Sequence, residues 1–308
     1  MILNAGLSPA WQQVYEFERL ETGRVNRAVR AFSCASGKVL NVARALTQLH
    51  ADAQTICLVG GTTGRLIQEE LASESVPVQW IHSKSPTRVC TTLLETGLQQ
   101  TTELVENCGP VEQTELEAFE RSFAQLVPSA RFVVLIGSLP TAAPSDFYSR
   151  LLSYCAAAVP ALLDARGAEL LAALPHRPLL VKPNREELEK TVGRPLPEFK
   201  HVLHAARELN ERGAEWVLVT DGPAPALLVS RTEAFRLQPL PATVVNPIGC
   251  GDCLAAATAA ALCENRSVLD AVRFGMAAAA DNLQQAAPAA LNRQHVETRW
   301  REVRWEQI

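Results

Sequence analysis

Short apolar runs rich in β-forming residues alternate with longer amphipathic stretches along most of the chain. The apolar runs are predicted to be strands, at residues 2–3, 53–59, 132–136, 161–164, 179–181, 216–220 and 226–229. The longer stretches are predicted to be helices, at residues 40–49, 64–74, 113–126, 145–158, 185–191 and 200–212, with two Ala-rich helices at 251–263 and 268–285. Because helical crossovers join parallel strands and cover both faces of the sheet, this alternation predicts an α/β fold with a mainly parallel sheet.

Two segments do not follow the alternation. Residues 14–32 and 88–105 alternate polar and apolar side chains without helical spacing, which is typical of half-buried strands. We interpret them as antiparallel strands of a small second sheet, inserted into the main domain at about 10–32 and 87–106. Such an appendage is well placed to act as a lid or as a contact between two copies of the chain.

Composition narrows the class of protein. The chain has 308 residues, of which 47% are hydrophobic and 20% are charged, as is typical of a folded protein with a large core. Its formal net charge of -4 argues against general nucleic-acid binding, which requires a basic face. We therefore expect no nucleic-acid partner, although a local basic pocket for a phosphate remains compatible with this charge.

No targeting or membrane segment is predicted, so we expect a cytoplasmic protein. The most apolar long stretch, 254–262, is far shorter than the roughly 20 residues that a membrane span needs. The eight cysteines are scattered along a chain large enough to fold without disulfides. Cys250 and Cys253 have the spacing of a metal or redox pair, but no second such pair or pair of histidines accompanies them, which disfavours that interpretation.

Residues 244–252 lead from an apolar run through a Gly-x-Gly turn into an Ala-rich helix. Glycines let the backbone approach a ligand closely, and the free N–H groups of a first helical turn bind anions. Asp252 falls in that first turn. It is either a simple partner of the helix dipole, or a base that takes a proton from a substrate hydroxyl beside a bound phosphoryl group. The chain has no GxxxxGK[ST] motif, so this turn is the best phosphate site in the sequence.

Residues 181–188 form a second motif, in which a proline ends a strand and a helix follows. Asn184 and Glu187 have the spacing of a capping box, which is a purely structural interpretation. The functional alternative is that both side chains organise Mg²⁺ through its waters while Lys182 faces a phosphate, since oxygen ligands suit Mg²⁺.

Polar or small residues also follow several predicted strands. Gly37 and Lys38 open a helix and can bind a phosphate, and Asn41 can reach a sugar hydroxyl. Ser138 follows one strand, and the segments 164–167 and 220–222 end two others. In an open α/β sheet, ligands bind outside the carboxyl ends of the strands. Together these segments describe the edge of an active site better than any of them does alone.

These motifs, in this order along nearly the whole chain, resemble the ribokinase-like PfkB carbohydrate kinase family. The closing GAGD signature of that family is matched by residues 249–252, Gly-Cys-Gly-Asp, and its magnesium-associated NxxE by residues 184–187. Within the family the chain is most similar to the branch of 1-phosphofructokinase and tagatose-6-phosphate kinase. The segments that carry this similarity are 37–38, 41–44, 60–64, 87–88, 137–140 and 182–184.

The resemblance implies a single three-layer α/β/α kinase domain over residues 1–308 with a small β-sheet lid, and it implies ATP and Mg²⁺. Asp252 is then the base, and the amides of Gly249, Cys250 and Gly251 form the anion hole. The implied sugar-phosphate site consists of Gln12, Gly37, Lys38, Asn41, Arg88 and Ser138. The implied nucleotide site consists of Lys182, Asn184, Thr220 and Gly222, with Asn184 and Glu187 near the metal through water. Lids in this family often mediate dimers, so a homodimer through the lid is expected.

The chain departs from the family pattern mainly in the sugar site. Gln12 replaces an acid that grips sugar hydroxyls, and glutamine carries no charge. Ser36 and Val39 replace two glycines of the usual GGKG turn, and Pro247 replaces a threonine before the anion hole. We therefore expect a kinase of a sugar phosphate such as fructose 1-phosphate or tagatose 6-phosphate. The alternatives are a kinase of a free sugar or nucleoside, and a degenerate kinase that only senses a sugar phosphate.

Overall fold

Two β-sheets and ten helices make up the part of the chain that the computed structural model describes, residues 1–155 and 159–308. The strands are β1 (Ile2–Gly6), β2 (Ala10–Phe17), β3 (Arg30–Ser36), β4 (Ala53–Val59), β5 (Val78–His82), β6 (Val89–Glu95), β7 (Gln100–Val105), β8 (Phe132–Ile136), β9 (Ala161–Asp164), β10 (Leu180–Val181), β11 (Trp216–Asp221), β12 (Ala224–Val229), β13 (Ala234–Leu237) and β14 (Trp305–Gln307). The helices are α1 (Lys38–Gln48), α2 (Gly61–Ser73), α3 (Gln113–Leu126), α4 (Phe147–Ser153), α5 (Gly167–Ala173), α6 (Arg185–Val192), α7 (Phe199–Arg212), α8 (Cys250–Cys263), α9 (Val268–Asn282) and α10 (Arg293–Arg299).

The main sheet has the strand order β14-β13-β12-β11-β10-β9-β8-β1-β4-β5. From β5 to β11 each neighbouring pair is parallel, as the alternation of strands and helices predicts. From β11 to β14 the pairs are antiparallel, because only two residues separate β11 from β12 and such a hairpin reverses the chain. The mainly parallel α/β fold is confirmed, and the predicted strand at 226–229 belongs to its antiparallel margin.

The small sheet has the order β3-β2-β6-β7. The pairs β2–β3 and β6–β7 are antiparallel, but β2 and β6 are parallel, so the prediction of an entirely antiparallel sheet is wrong. The reason is the long connection from β3 to β6, which passes through two helices and two strands of the main body and returns β6 in the direction of β2. The predicted insertion also needs revision, since β3 continues to Ser36 and residues 18–29 form no strand.

Successive side chains of the central strands enter opposite hydrophobic cores. Ile2 and Phe132 pack in the core beneath α1, α8 and α9, whereas Leu3 and Val133 pack in the core beneath α3, α4 and α7. Each core side chain of this size contributes about 1.5–3 kcal/mol when it is fully buried. The result is a sheet covered by helices on both faces, which is the three-layer arrangement that was expected.

The ends of several elements differ from the sequence prediction. The helix predicted at 145–158 is α4, which ends at Ser153, and positions 156–158 of that prediction lie outside the described residues. The short strands β13 and β14 were not predicted, because each has too few residues for a clear period-two pattern. No helix within 1–155 and 159–308 is both long and apolar enough to cross a membrane.

Candidate active site

The carboxyl ends of four neighbouring parallel strands, β10, β9, β8 and β1, lie at one edge of the main sheet. The chain places Lys182 directly after β10, Asp164 at the last position of β9, Ser138 two residues after β8 and Ser8 two residues after β1. The strand ends are also linked, since the Gly137 N–H donates to the Asp164 carbonyl at 3.1 Å. Polar side chains that are distant in sequence therefore meet where α/β sheets bind ligands.

The 249–252 turn starts α8 at this edge. Gly249 is the N-cap, with a left-handed φ of +84°, a conformation that favours glycine. A Cβ at this position would lie 2.8 Å from the backbone nitrogen of Ala289, so there is no room for a side chain. The backbone thus turns sharply and presents the N-terminus of α8, with its N–H groups and dipole, to a ligand.

Two buried asparagines hold the shape of this turn. Asn246 donates to the Ala286 carbonyl at 2.8 Å and accepts from the Ile248 N–H at 3.0 Å. Asn282 at the end of α9 donates to the Ile248 carbonyl at 2.9 Å and accepts from the Ala290 N–H at 3.2 Å. The loop after α9 is therefore tied to the turn before α8, although the two are far apart in sequence.

Asp252 is the acid of this site. It is 7% exposed, and its Oδ2 accepts a hydrogen bond from Asn41 Nδ2 at 2.7 Å. Burial raises the pKa of Asp252 to about 6, while the nearby charge of Lys38 and the hydrogen bond from Asn41 oppose that rise. A carboxylate with a pKa near the working pH suits a general base, because it is mostly ionised yet still basic enough to take a proton.

A chain of alternating charges lies beside Asp252. Lys182 Nζ is 2.5 Å from Asp164 Oδ2, and Lys38 Nζ is 2.7 Å from Asp164 Oδ1 and 3.2 Å from Glu187 Oε1. Burial by itself would raise the pKa of Asp164, but Lys182 and Lys38 hold it below its ordinary value. The sequence analysis placed Asp164, within the segment 164–167, at the edge of the active site but gave it no role there.

Lys182 also reaches the 249–252 turn. A Cβ built on Gly251 would be 3.5 Å from Lys182 Nζ, so the ammonium group lies against the start of α8. Lys182 is only 4% exposed, and its charge is neutralised by Asp164 on the other side. A cation and a helix N-terminus thus face the same small volume, which suits an anion.

Asn184 and Glu187 form the capping box that their spacing predicts. Asn184 Oδ1 accepts from the Glu187 N–H at 2.8 Å, and Glu187 Oε2 accepts from the Asn184 N–H at 3.0 Å. Glu187 Oε1 faces Lys38, so this carboxylate belongs to both the cap and the charged cluster. Within the described chain no group of three or more His, Cys, Asp or Glu side chains could hold a metal. The oxygens of Asp164, Asn184 and Glu187 still suit Mg²⁺ that keeps most of its waters.

A pocket of about 100 Å³ opens next to this cluster. Its polar lining consists of Ser8, Lys38, Arg88, Ser138, Asp164, Arg166, Glu169 and Glu187. Arg88 donates to the carbonyl oxygens of Glu106 at 3.1 Å, Pro9 at 3.3 Å and Ser8 at 3.4 Å. Three of the residues predicted for the sugar-phosphate site, Lys38, Arg88 and Ser138, therefore meet in one pocket.

The other predicted sugar-site residues lie around this pocket without lining it, as far as the described residues show. Gly37 has a φ of +92°, and a Cβ there would be 2.9 Å from the backbone of Ser8, Pro9 and Ala10. Asn41 contacts Asp252, as described above. Gln12 is 3% exposed and donates to Thr92 Oγ1 at 2.8 Å within the small sheet. The structure thus connects Asn41 to the acid and leaves Gln12 in a contact of the small sheet.

The predicted nucleotide residues follow the same sheet edge. Thr220 forms an isolated parallel bridge with Asn184, which places the end of β11 beside the start of α6. Gly222 has a φ of +54° in the hairpin between β11 and β12. The surface from Lys182 to Gly222 is therefore continuous with the charged cluster.

A buried acid next to a helix N-terminus, with lysines on both sides of a second acid, is the arrangement of a phosphoryl-transfer enzyme on an α/β sheet. Residues 10–294 match the family model described as pfkB family carbohydrate kinase, and the chain belongs to that family. It is accordingly an ATP-dependent carbohydrate kinase.

Solved structures with the same fold cover almost the entire chain. Phosphofructokinase-2 from Escherichia coli in complex with potassium is 27% identical, with a TM-score of 0.88 over 98% of this chain and 99% of that one. The same enzyme in complex with fructose-6-phosphate is also 27% identical, with a TM-score of 0.87 over 98% of this chain and 99% of that one. A possible 1-phosphofructokinase from Thermotoga maritima, 18% identical, has a TM-score of 0.91 over 100% of this chain and 99% of that one, and shows the fold alone.

Proposed function

We propose that the protein transfers the γ-phosphoryl group of ATP to a hydroxyl of a sugar phosphate of the fructose 1-phosphate or tagatose 6-phosphate type. The observation that carries the proposal is the convergence of a buried acid, Asp252, with a helix N-terminus and Lys182 at one edge of the sheet. The neighbouring pocket adds cationic groups for a phosphate that the sugar already carries.

In the proposed reaction Asp252 accepts the proton of the attacking sugar hydroxyl. The hydroxyl oxygen then forms a bond to the γ-phosphorus, and the bond from that phosphorus to the bridging oxygen of ATP breaks to release ADP. The amides of Gly249, Cys250 and Gly251 and the ammonium of Lys182 are proposed to stabilise the charge of the transferring group, since they belong to or lie against the N-terminus of α8. Asp164, Asn184 and Glu187 would hold Mg²⁺ through water, and the ion would supply further charge neutralisation on the phosphates.

Arg88, Lys38 and Ser138 are proposed to bind the phosphate of the sugar. The hydrogen bonds of the Arg88 guanidinium go to backbone carbonyls, which do not neutralise its charge, so it retains an attraction for an anion. Asn41, Gln12 and the backbone at Gly37 are proposed to contact sugar hydroxyls. Thr220 and Gly222 are proposed to lie along the nucleotide, because the bridge to Asn184 places the end of β11 beside the cluster.

We further propose that residues 1–308 act as one kinase domain, with the small sheet as a lid and as the contact of a homodimer. Leu98, Leu104 and Val105 of the β6–β7 hairpin are between 55% and 59% exposed, which favours an apolar contact with another chain. A tetrameric inhibited form is known for Escherichia coli phosphofructokinase-2. Leu104→Lys should convert a dimer to a monomer in light scattering, and an unchanged mass would contradict this contact.

All eight cysteines are free, which suits a reducing compartment. We therefore propose a cytoplasmic location.

A coupled assay of ADP release tests the main proposal. The panel contains fructose 1-phosphate, tagatose 6-phosphate and fructose 6-phosphate, the last because the relative from Escherichia coli was solved with it. Matched free sugars and nucleosides serve as the comparison. Turnover of phosphorylated sugars alone supports the proposal. Turnover of free sugars or nucleosides alone would show a kinase of another acceptor, and binding without turnover would show a sensor.

A further inference from the structure

The Ser36 hydroxyl holds the side-chain amide of Asn41 in one orientation, from the side opposite Asp252. Ser36 Oγ donates to Asn41 Oδ1 at 3.0 Å, while Asn41 Nδ2 donates to Asp252 Oδ2 at 2.7 Å. Both Ser36 and Asn41 are 1% exposed. Since the oxygen and the NH₂ group of an amide occupy opposite sides, a donor on the oxygen side directs the NH₂ group to the acid.

Ser36 is itself fixed from the side of the small sheet. It follows Ala35 in β3, and both polar backbone groups of Ala35 are bound by side chains of the main body. The Arg44 guanidinium donates to the Ala35 carbonyl at 2.8 Å, and Glu70 accepts from the Ala35 N–H at 2.9 Å. Arg44 and Glu70 also pair with each other at 2.8 Å. This pair takes the place of a neighbouring strand and sets the position of the end of β3.

The chain after Ser36 is equally constrained. Gly37 packs so tightly against residues 8–10 that it has no space for a side chain. The Asn41 N–H donates to the Gly37 carbonyl at 2.9 Å, which anchors the first turn of α1. Ser36 at the end of β3 and Asn41 in α1 are therefore held in a fixed position relative to each other.

We propose that Ser36 is a positioning residue, whose hydroxyl fixes the Asn41 amide so that its NH₂ group is directed at Asp252. This inference rests on the proposed role of Asp252 as the base. The other charged groups around Asp252 in the described residues are Lys38 from α1, Asp164 from β9 and Lys182 from the loop after β10, and none of them is bonded to Ser36. The thiols of Cys250 and Cys253, from α8 itself, complete the titratable groups near Asp252.

Ser36→Ala removes the hydroxyl with little change in shape. Without a donor on the oxygen side, the Asn41 amide turns more freely, and the ionised form of Asp252 loses part of its hydrogen bond. We expect the acid limb of the pH profile of kcat/KM to move upward by about 0.5–1 pH unit. At pH 6 kcat/KM should fall about 2- to 5-fold, and at pH 8 it should change less than about twofold. Ser33→Ala, at an exposed position of the same strand, is the matched control.

A double-mutant cycle asks whether Ser36 acts through Asn41. If it does, Ser36→Ala should have no further effect on the pH limb in an Asn41→Ala background. The same shift in both backgrounds would overturn the proposal, because Ser36 would then act by another route. Ser36→Gly removes the same hydroxyl and replaces Ser36→Ala if thermal unfolding shows that the alanine variant is not folded.

A measurement without turnover separates this inference from the proposed function. The Asp252 carboxyl is titrated by ¹³C NMR, with Asp252→Asn to assign its signal. An upward shift of the pKa in Ser36→Ala supports the positioning role even if no sugar phosphate is turned over. An unchanged pKa of Asp252 in folded Ser36→Ala overturns it even if the wild-type protein is an active kinase.

Discussion

The two halves of the active site are built differently. At the proposed transfer end, Asp252, Asn41, Asp164 and Lys182 are buried and form two close pairs, Asn41 with Asp252 at 2.7 Å and Lys182 with Asp164 at 2.5 Å. At the sugar end, Arg88 reaches three backbone carbonyls at 3.1–3.4 Å.

A buried charge is tolerated only if it is paired. Each residue of these two pairs therefore limits which amino acids can occupy the position of its partner. The hydrogen bonds of Arg88 go instead to backbone carbonyls, which are present whatever the sequence. The side chains proposed for phosphoryl transfer therefore depend on one another. Arg88, proposed to select the acceptor, can be replaced without leaving a buried side chain unpaired.

The strongest test of the transfer end is Asp252→Asn. Asparagine keeps the shape and the contact with Asn41 but cannot accept the proton, so kcat should fall on the order of 10²-fold or more. The KM for ATP should change little. Steady-state kinetics with Asp146→Asn, an exposed acid before α4, as control will show the difference. A kcat close to that of the wild type would remove Asp252 from the role of base.

The sugar end is tested by Arg88→Ala. Loss of a charge-assisted contact to a phosphate should raise the KM for a phosphosugar by about 10- to 100-fold while the KM for ATP stays the same. The exposed Arg65 of α2, changed to alanine, controls for the loss of a positive charge. If both KM values rise together, Arg88 supports the pocket as a whole and the division into two ends is incorrect.

The burial of Asp252 should also affect stability. Its folded pKa of about 6 lies above the ordinary value of 3.8, so ionisation is less favourable in the folded chain. The protonated form of Asp252 is therefore favoured by folding. Its contribution to stability is fully present below pH 4 and is lost as the pH rises through 6. Asp252→Asn should be more stable than the wild type by about 3 kcal/mol at pH 8, with a difference of less than about 1 kcal/mol near pH 4. Urea unfolding at both pH values measures this; equal stabilities at pH 8 would contradict the raised pKa.

The smallest expected effect is the pH dependence of the wild type. Since Asp252 must be ionised to act as base, kcat/KM should fall about tenfold per pH unit below pH 6 and level off above it. The Arg88→Ala variant should have a lower kcat/KM at every pH but the same pKa on the acid side, because Arg88 is proposed to bind the sugar phosphate and not to act on Asp252. A limb that moves with Arg88→Ala would show that the two ends are coupled.

The sequence allowed the main sheet and most of the transfer end to be predicted, for a physical reason. Strands that are buried on both faces appear as apolar runs, and the residues that follow them must lie at one edge of a parallel sheet. Lys182 could be placed at this edge because it follows such a strand, whereas Lys38 and Asp252 were assigned to the same site through the resemblance to the kinase family. Their partners could not be assigned. Asn41 and Asp252 are 211 residues apart, and Asn41 was predicted to contact the sugar.

The small sheet was predicted less well. Alternation of polar and apolar residues shows that a segment has two faces, but it carries no information on strand direction. Pairing of β2 with β6 depends on the path of the chain between them, and that path made the pair parallel. Gln12 was predicted to contact the substrate, and only the packing of the sheet revealed Thr92 as its partner.

The asparagines that shape the 249–252 turn have a consequence for the order in which the protein becomes active. The turn depends on Asn282 and on the backbone at 286–290, which are synthesised after it. A growing chain that ends before these residues has Asp252 but lacks the contacts that hold the anion site. The phosphate site is therefore completed late in synthesis, and a fragment that ends after α8 should not consume ATP.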